Sequence, residues 1–528
     1  MVSFLYPFKK LRKKTRVALA LREDGGGGPV PIAGSLERSL RTVSEALGGS
    51  NDLVLRKFAI MLNRQPCQAA VVYIEGLADP TNLMESLLID SGELQAVLAP
   101  APGVSPLQLI REHILKIGNI NGVSDYETLY HSILSGDAVI LLEGETEAIA
   151  AGTGNIRDRG VTEPSTQAVL RGPREGFSET LRTNTALVRR KIKDTSLWME
   201  TRQIGEVTKT DVAIMYVKGI VDEKTVKEVM SRLDRIRIDS ILESAYIEEM
   251  IEDETYTPFP TVYNTERPDA VAGGLLEGRI AILVDGTPFA LVVPALFTHF
   301  FQTPEDYYHR ADISTLIRLL RYICFFIALF GPSAYIAVTT FHQEMIPTPL
   351  LISVAAAREG IPFPAFVEAV LMEITFEILR EAGIRLPKTV GQAVSIVGAL
   401  VIGQSAVEAG LIGPAMVIVV SITAIANFVI PSYEMGISVR MIRFLYMMLA
   451  ASFGLYGILI GTIVMVLHLC SLRSFGIPYM APFAPFIAED QKDNIFRLPR
   501  WALSTRPRYF SASNRHRQPE RPRQKPGP

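Results

Sequence analysis

Cysteine is scarce: Cys67, Cys324 and Cys470 are the three among 528 residues, far apart in sequence. That excludes a disulfide framework and a CxxC zinc ligand pair. The seven histidines do not cluster with Cys or Asp at ligand spacing, and His342-Gln343-Glu344 lacks the second histidine of a zinc-binding helix. There is no G-x-S-x-G elbow and no Walker loop. Gly25–Gly28 is not followed by Lys-Ser/Thr, and Gly152-Thr153-Gly154 is an isolated glycine pair. No constellation for catalysis is left, so neither an enzyme nor a cofactor is expected. Charge of one sign is lacking too. The 53 basic and 55 acidic residues leave a net charge of −2, which excludes a generally basic nucleic-acid binder. Behind the basic start MVSFLYPFKKLRKKTR there is no apolar stretch of the signal-peptide kind. The first domain is therefore expected to stay in the cytoplasm.

What is present is hydrophobicity, at 48% of residues against 20% charged and a mean hydropathy of +0.23. It is concentrated in the second half. Residues 322–341, 389–407, 409–433 and 444–472 are charge-free runs of 20, 19, 25 and 29 residues. A bilayer core requires about 20 apolar residues of helix, so 316–475 reads as an α-helical multi-pass membrane domain with four to six spans. Arg310, Arg318 and Arg321 place the first flank inside. Four spans keep both termini inside but leave Arg440 and Arg443 outside. A fifth crossing at 361–384 repairs that pair and exports the C-terminus; the sequence does not decide, and both termini inside is preferred because nine basic residues outweigh two. From Arg497 onward the chain carries nine Lys/Arg and one acid, so 476–528 reads as a disordered basic tail. Anionic lipid heads would attract it by about 1 kcal/mol per basic residue. Lys9, Lys10, Arg12, Lys13, Lys14 and Arg16, in the basic flexible N-terminus 1–40, can touch the same surface.

The first half contains a repeat. Residues 70–79 (AVVYIEGLAD) match 213–222 (AIMYVKGIVD) at an offset of 143, and Glu85 falls on Glu228. Each copy is a buried strand, a glycine turn and an acidic helix cap. A cytosolic α/β domain over 41–265 is expected, built of two related subdomains at about 50–160 and 175–260. Asp79 and Asp222 read better as helix N-caps than as ligand-binding acids. Residues 138–142 and 148–151 read as a hairpin. A connector at 266–315 is ambiguous: 279–293 has hairpin signals around Asp285-Gly286, while 286–304 is charge-free for 19 residues and long enough to span.

Pro347, Pro349, Pro362 and Pro364 break the chain before a helix at 365–382 that carries Glu368, Glu373, Glu377 and Glu381. At 100° per residue Glu373, Glu377, Arg380 and Glu381 share an arc of about 100°, with Glu368 pointing elsewhere. Broken backbone beside a carboxylate stripe suits a water-filled cation path. An interfacial helix with a solvated acidic face fits as well. Gln392, Gln404 and Asn427 lie inside spans and must face other helices or a pore. The candidate ion-path residues are Glu368, Glu373, Glu377, Gln392 and Gln404. Gly457-x-x-x-Gly461 is a weak helix-dimer signal.

Longer motifs carry a family likeness. Residues 171–177 (RGPREGF), 182–187 (RTNTAL), 258–269 (PFPTVYNTERPD), 276–288 (LEGRIAILVDGTP), 301–308 (FQTPEDYY), 339–347 (TTFHQEMIP), 357–364 (AREGIPFP) and the stretch 373–404 resemble the GerA-type spore germination proteins. Arg171, Arg174, Glu266, Arg267, Pro268, Asp285, Pro347, Pro362 and Pro364 fall within the matching motifs. The likeness covers about residues 40–480. It implies the A subunit of a nutrient germinant receptor, multi-pass in the spore inner membrane with its N-terminal half in the cytosol. It also implies two partners, a transporter-like B subunit and a lipoprotein C subunit, and assembly into a homo-oligomeric cation channel opened by nutrient binding elsewhere in the complex. A relative of stage V sporulation AF type, or a non-conducting scaffold, is the alternative. The Gly25–Gly28 linker and the long basic tail depart from the family pattern.

Overall fold

A computed structural model describes residues 29–62, 65–88, 106–111, 119–154, 163–164, 167, 169–386, 401–511 and 514–517. The N-terminal basic cluster, Gly25–Gly28, Gln392, the run 389–400 and the last eleven residues lie outside the described residues.

The repeat folds as two five-stranded sheets of the same order. Helix α1 (Leu36–Ala46) precedes β1 (Leu53–Leu62) and β2 (Gln65–Ile74). Then come α2 (Thr81–Leu88), β3 (Ile120–Val123), α3 (Tyr126–Ser135), β4 (Ala138–Leu142) and β5 (Ala148–Ala151). The strands line up as β1-β2-β4-β5-β3. The second copy runs α4 (Leu181–Lys191), β6 (Leu197–Ile204), β7 (Thr210–Val217), α5 (Glu223–Arg235), α6 (Ser244–Ile251), β8 (Tyr263–Thr265), α7 (Pro268–Glu277), β9 (Ile280–Val284) and β10 (Ala290–Val293), in the order β6-β7-β9-β10-β8. Uniformly apolar β4 and β9 are buried along their whole length, as strands covered on both faces must be. Each follows a helix stopped by a left-handed glycine, Gly136 at φ 100° and Gly278 at φ 98°, a conformation that other residues adopt at a cost. Asp222 caps α5 by accepting from the Lys224 amide, and the Asp79 carboxylate accepts from the Thr81 amide.

The 279–293 segment is settled by pairing. Residues 290–293 pair with 280–283, and 290–292 also pair with 263–265. The second sheet therefore continues past 260 to Val293, and the spanning alternative for 286–304 is excluded. Residues 297–301 add a 3-10 turn whose phenylalanines are buried. The two subdomains are joined by Arg189, 1% exposed, whose guanidinium binds Asp52 at 2.8 Å and the Leu197 carbonyl.

The helical region comprises α8 (Ala311–Thr340), α9 (Thr348–Arg358), α10 (Ala365–Arg385), α11 (Pro414–Phe428) and α12 (Tyr433–Ser471), with a further helical stretch at 401–408. Here "near" denotes the end facing the sheets. Helix α8 starts there, where Arg318 and Arg321 both reach Asp306, at 2.8 and 2.9 Å. Helix α12 runs parallel to it: Arg443 donates to the Ala328 carbonyl, Tyr446 meets Phe330, and Gly454 lies against Phe341 and His342 at the far end. At Gly454 (φ 60°, ψ −142°) α12 folds back on itself. Tyr446 Oη then lies 3.5 Å from Thr462 Oγ1, and His468 returns to Thr257 at the near end. Gly457 and Gly461 pack against Leu449 and Tyr446 within this hairpin, so their small size serves a contact inside the chain. Helices α10 and α11 both descend from far to near, with Glu368 beside Gly413 at their tops and Arg380 over the Phe428 ring at their bases.

Among the described residues two helices, α8 and α12, are long and apolar enough to cross a membrane. In α12 the most apolar window is only 17% buried, unlike a soluble core helix. Leu316, Ile323, Ile425, Leu445, Ile463 and Leu467 stand exposed on the outer faces.

The disordered tail expected for 476–528 is corrected over its described part. Tyr479 is fully buried between Phe297 and Phe300, and Phe510 packs on His299 and Arg279. Arg517 pairs with Glu277 at 2.8 Å. Buried aromatics and consumed charges hold the segment on the second subdomain, where a solvated chain would have neither.

Candidate functional site

The broken backbone behaves as its prolines require. Pro347 precedes α9 as N-cap, Pro362 lies in the link, and Pro364 is the N-cap of α10, positions where a missing N–H removes no helical bond. This sets α10 against α8, α11 and α12 with carboxylates on several sides. All four are met by arginine. Glu368, fully buried, takes Arg358 at 3.0 Å and the Gly413 amide at 2.8 Å; the latter caps the first turn of α11, where negative charge complements the helix dipole. Glu373 takes Arg443 at 2.6 Å, both side chains within 3% of full burial. Glu377 is shared by Arg440 at 2.8 Å and Arg380 at 3.5 Å. Glu381 pairs with Arg385 on the surface.

Glu373, Glu377, Arg440 and Arg443 thus form a ladder between α10 and α12. The two arginines, which charge counting alone sets against the positive-inside rule, have an internal role instead. Gln404 is elsewhere. It is exposed, as is Glu408, and donates to Glu408 at 2.9 Å. Asn427 is buried between α11 and α12, beside Gly436.

The motif residues of the first half build the joint below the bundle. Arg267, 1% exposed, binds Asp269 and the carbonyls of Gln167 and Pro173. Tyr308 donates to Asp269 at 2.6 Å, and its ring packs against Gly172. The Arg171 amide donates to Glu305, Arg174 approaches Glu163 at 3.8 Å, and the Glu266 carbonyl accepts from the Phe177 amide. Pro268 opens α7, and the Asp285 carboxylate accepts from the Leu181 amide at the start of α4.

A second junction groups several acids. Asn264 donates to Glu434 beside buried Glu248. Burial, then the nearby Glu434 carboxylate, pushes the Glu248 carboxyl up to about 9. Burial, then Glu249, pushes Glu252 up to about 7. No group of three or more His, Cys, Asp or Glu placed to hold a metal ion occurs among the described residues.

Comparison with known proteins agrees along nearly the whole chain. The family described as Bacillus/Clostridium GerA spore germination protein matches residues 41–509. Spore germination protein KA of Bacillus subtilis (strain 168) is 51% identical over 501 residues, covering 94% of this chain and 91% of that protein. Spore germination protein GerLA of Bacillus cereus is 38% identical over 488 residues, covering 92% and 98%. Among solved structures, the N-terminal domain of the A subunit of the Bacillus megaterium spore germinant receptor GerK3 is similar at 42% identity and a TM-score of 0.41, covering 51% of this chain and 99% of that one. The chain belongs to the GerA family of spore germination proteins.

Proposed function

We propose that this protein is the membrane-spanning A subunit of a germinant receptor, working with a transporter-like B subunit and a lipoprotein C subunit, and that several copies surround a cation path whose opening triggers germination. Family membership over 41–509 supports the role in germination, and the apolar outer faces of α8 and α12 support a bilayer as solvent. On this reading α8, α10, α11 and the two limbs of α12 each cross once, five crossings in all. Since α10 ends near and α11 starts far, one further crossing between them would make six. Six crossings leave the α/β domain and the tail both in the cytosol, with the near end at the inner face of the spore inner membrane.

The observation that carries the ion-path reading is the exposed pair Gln404–Glu408. In lipid such a pair must face a partner or water, and a ring of copies provides both. Glu368, Glu373 and Glu377 then position the helices around the path. Arginine engagement of every α10 carboxylate favours the second reading, a non-conducting scaffold or an accessory protein of stage V sporulation AF type. Spores carrying Gln404→Leu or Glu408→Gln decide between them. At unchanged protein level, altered cation efflux on nutrient addition supports the path, whereas wild-type efflux from both variants removes it.

A further inference from the structure

A cavity of about 370 Å³ lies where the bundle meets the α/β domain, at the lower end of small-molecule sites, which run about 300–1,000 Å³. Its charge is one-sided. Arg267, Arg321, Arg380 and Arg440 line it, and Glu305 is the only acid among the lining residues. Glu305 turns its Oε1 to the amides of Leu170 and Arg171 and to His309. Arg267 pairs with Asp269, and Arg321 shares Asp306 with Arg318. Arg380 and Arg440 share Glu377, two guanidiniums on one carboxylate. Two buried polar atoms of the lining have no partner, Arg440 Nε and Asn427 Oδ1, and Asn427 is 8% exposed. A half-turn of the Asn427 amide offers its Nδ2 donor instead. The N-terminus of α12, at Ser432 and Tyr433, borders the same space and adds a partial positive charge.

We propose that this cavity binds a phosphate oxyanion through Arg380, Arg440 and Asn427. Guanidinium forks match phosphate geometry, and such a ligand would accept from Arg440 Nε and, once the amide is turned, from Asn427 Nδ2. On the six-crossing reading the cavity sits at the level of the cytosolic headgroups, so an anionic phospholipid can supply the phosphate. Free phosphate is the other source. The oxyanion site itself does not depend on that reading.

The test uses the full-length protein, purified in neutral detergent and delipidated. Binding of phosphatidylglycerol, phosphatidylcholine and inorganic phosphate is compared for the wild type, Asn427→Asp, Arg380→Gln and Arg380→Lys. The wild type should prefer phosphatidylglycerol to phosphatidylcholine. Asn427→Asp and Arg380→Gln should each weaken binding about tenfold or more, and Arg380→Lys by less. If inorganic phosphate alone shows this pattern, the site holds and the headgroup-level placement does not. If neither ligand distinguishes the variants, each of them eluting and unfolding like the wild type, the proposal is overturned. Should Asn427→Asp fail to fold, the Arg380→Gln and Arg380→Lys pair decides the matter by the same comparison.

Discussion

Glu373→Gln strands a guanidinium. Arg443 would keep the Ala328 carbonyl at 2.6 Å but lose its carboxylate, with 2% of its side chain exposed to any solvent. Removing one member of a buried ion pair costs about 3–5 kcal/mol, because the charge left behind has neither water nor counterion. The glutamine amide still accepts one bond, which puts this variant near the lower figure. Arg443→Met strands Glu373 in turn, whose Oε1 already lacks a partner. Combining Glu373→Gln with Arg443→Met removes both charges and should recover most of the loss, a coupling of about 3 kcal/mol. That is roughly two orders of magnitude in the ratio of folded to unfolded chain. Denaturant titration of the full-length protein in detergent, followed by the fraction remaining monodisperse, reads all four corners of the cycle. Either single variant lying within about 0.5 kcal/mol of wild type, or a double variant as unstable as the sum of the singles, would refute the ladder.

Two other perturbations test other parts of the structure. Gly454→Ala places a Cβ 2.7 Å from His342 and 2.9 Å from the Phe341 side chain at a backbone angle of φ 60°; a loss of about 1–3 kcal/mol in the same titration is expected, and a neutral result would mean that α12 does not fold back there. Glu248 has its carboxyl raised from 4.5 to about 9, so between those values the folded state holds more protons than the unfolded one and stability falls as pH rises. Glu248→Gln should flatten that slope, measured as hydrogen exchange at α6 amides from pH 5 to 9, and an unchanged slope would place the titrating group elsewhere.

Much of the architecture was legible because it rests on local pattern. The repeat shows itself in the two apolar runs 70–74 and 213–217 followed by glycine and an acidic cap, since burial on both faces forbids polar residues there. The helices of the second half show themselves by absence of charge. What was not legible depends on long-range contact. Nothing near Glu373 in sequence marks Arg443, 70 positions away, as its partner, so an acidic stripe that reads as open is closed. The turn at Gly454 lies inside an unbroken apolar run, where a fold-back needs only one residue tolerant of positive φ. The tail misled through composition: its arginines outnumber its aromatics, yet Tyr479 and Phe510 decide its packing.

A bilayer-spanning bundle with the α/β domain and the C-terminal segment on one side underlies the proposed function. Single cysteines at Met345, at the far end, at Lys224 in α5 and at Phe486 in the tail, in a chain with Cys67, Cys324 and Cys470 replaced, test it in intact cells with a membrane-impermeant maleimide. Met345 and Phe486 are 64% and 73% exposed. Labelling of Met345→Cys from outside is expected, with Lys224→Cys and Phe486→Cys labelled only after lysis. Outside labelling of Phe486→Cys, or equal labelling of all three before lysis, would contradict this arrangement.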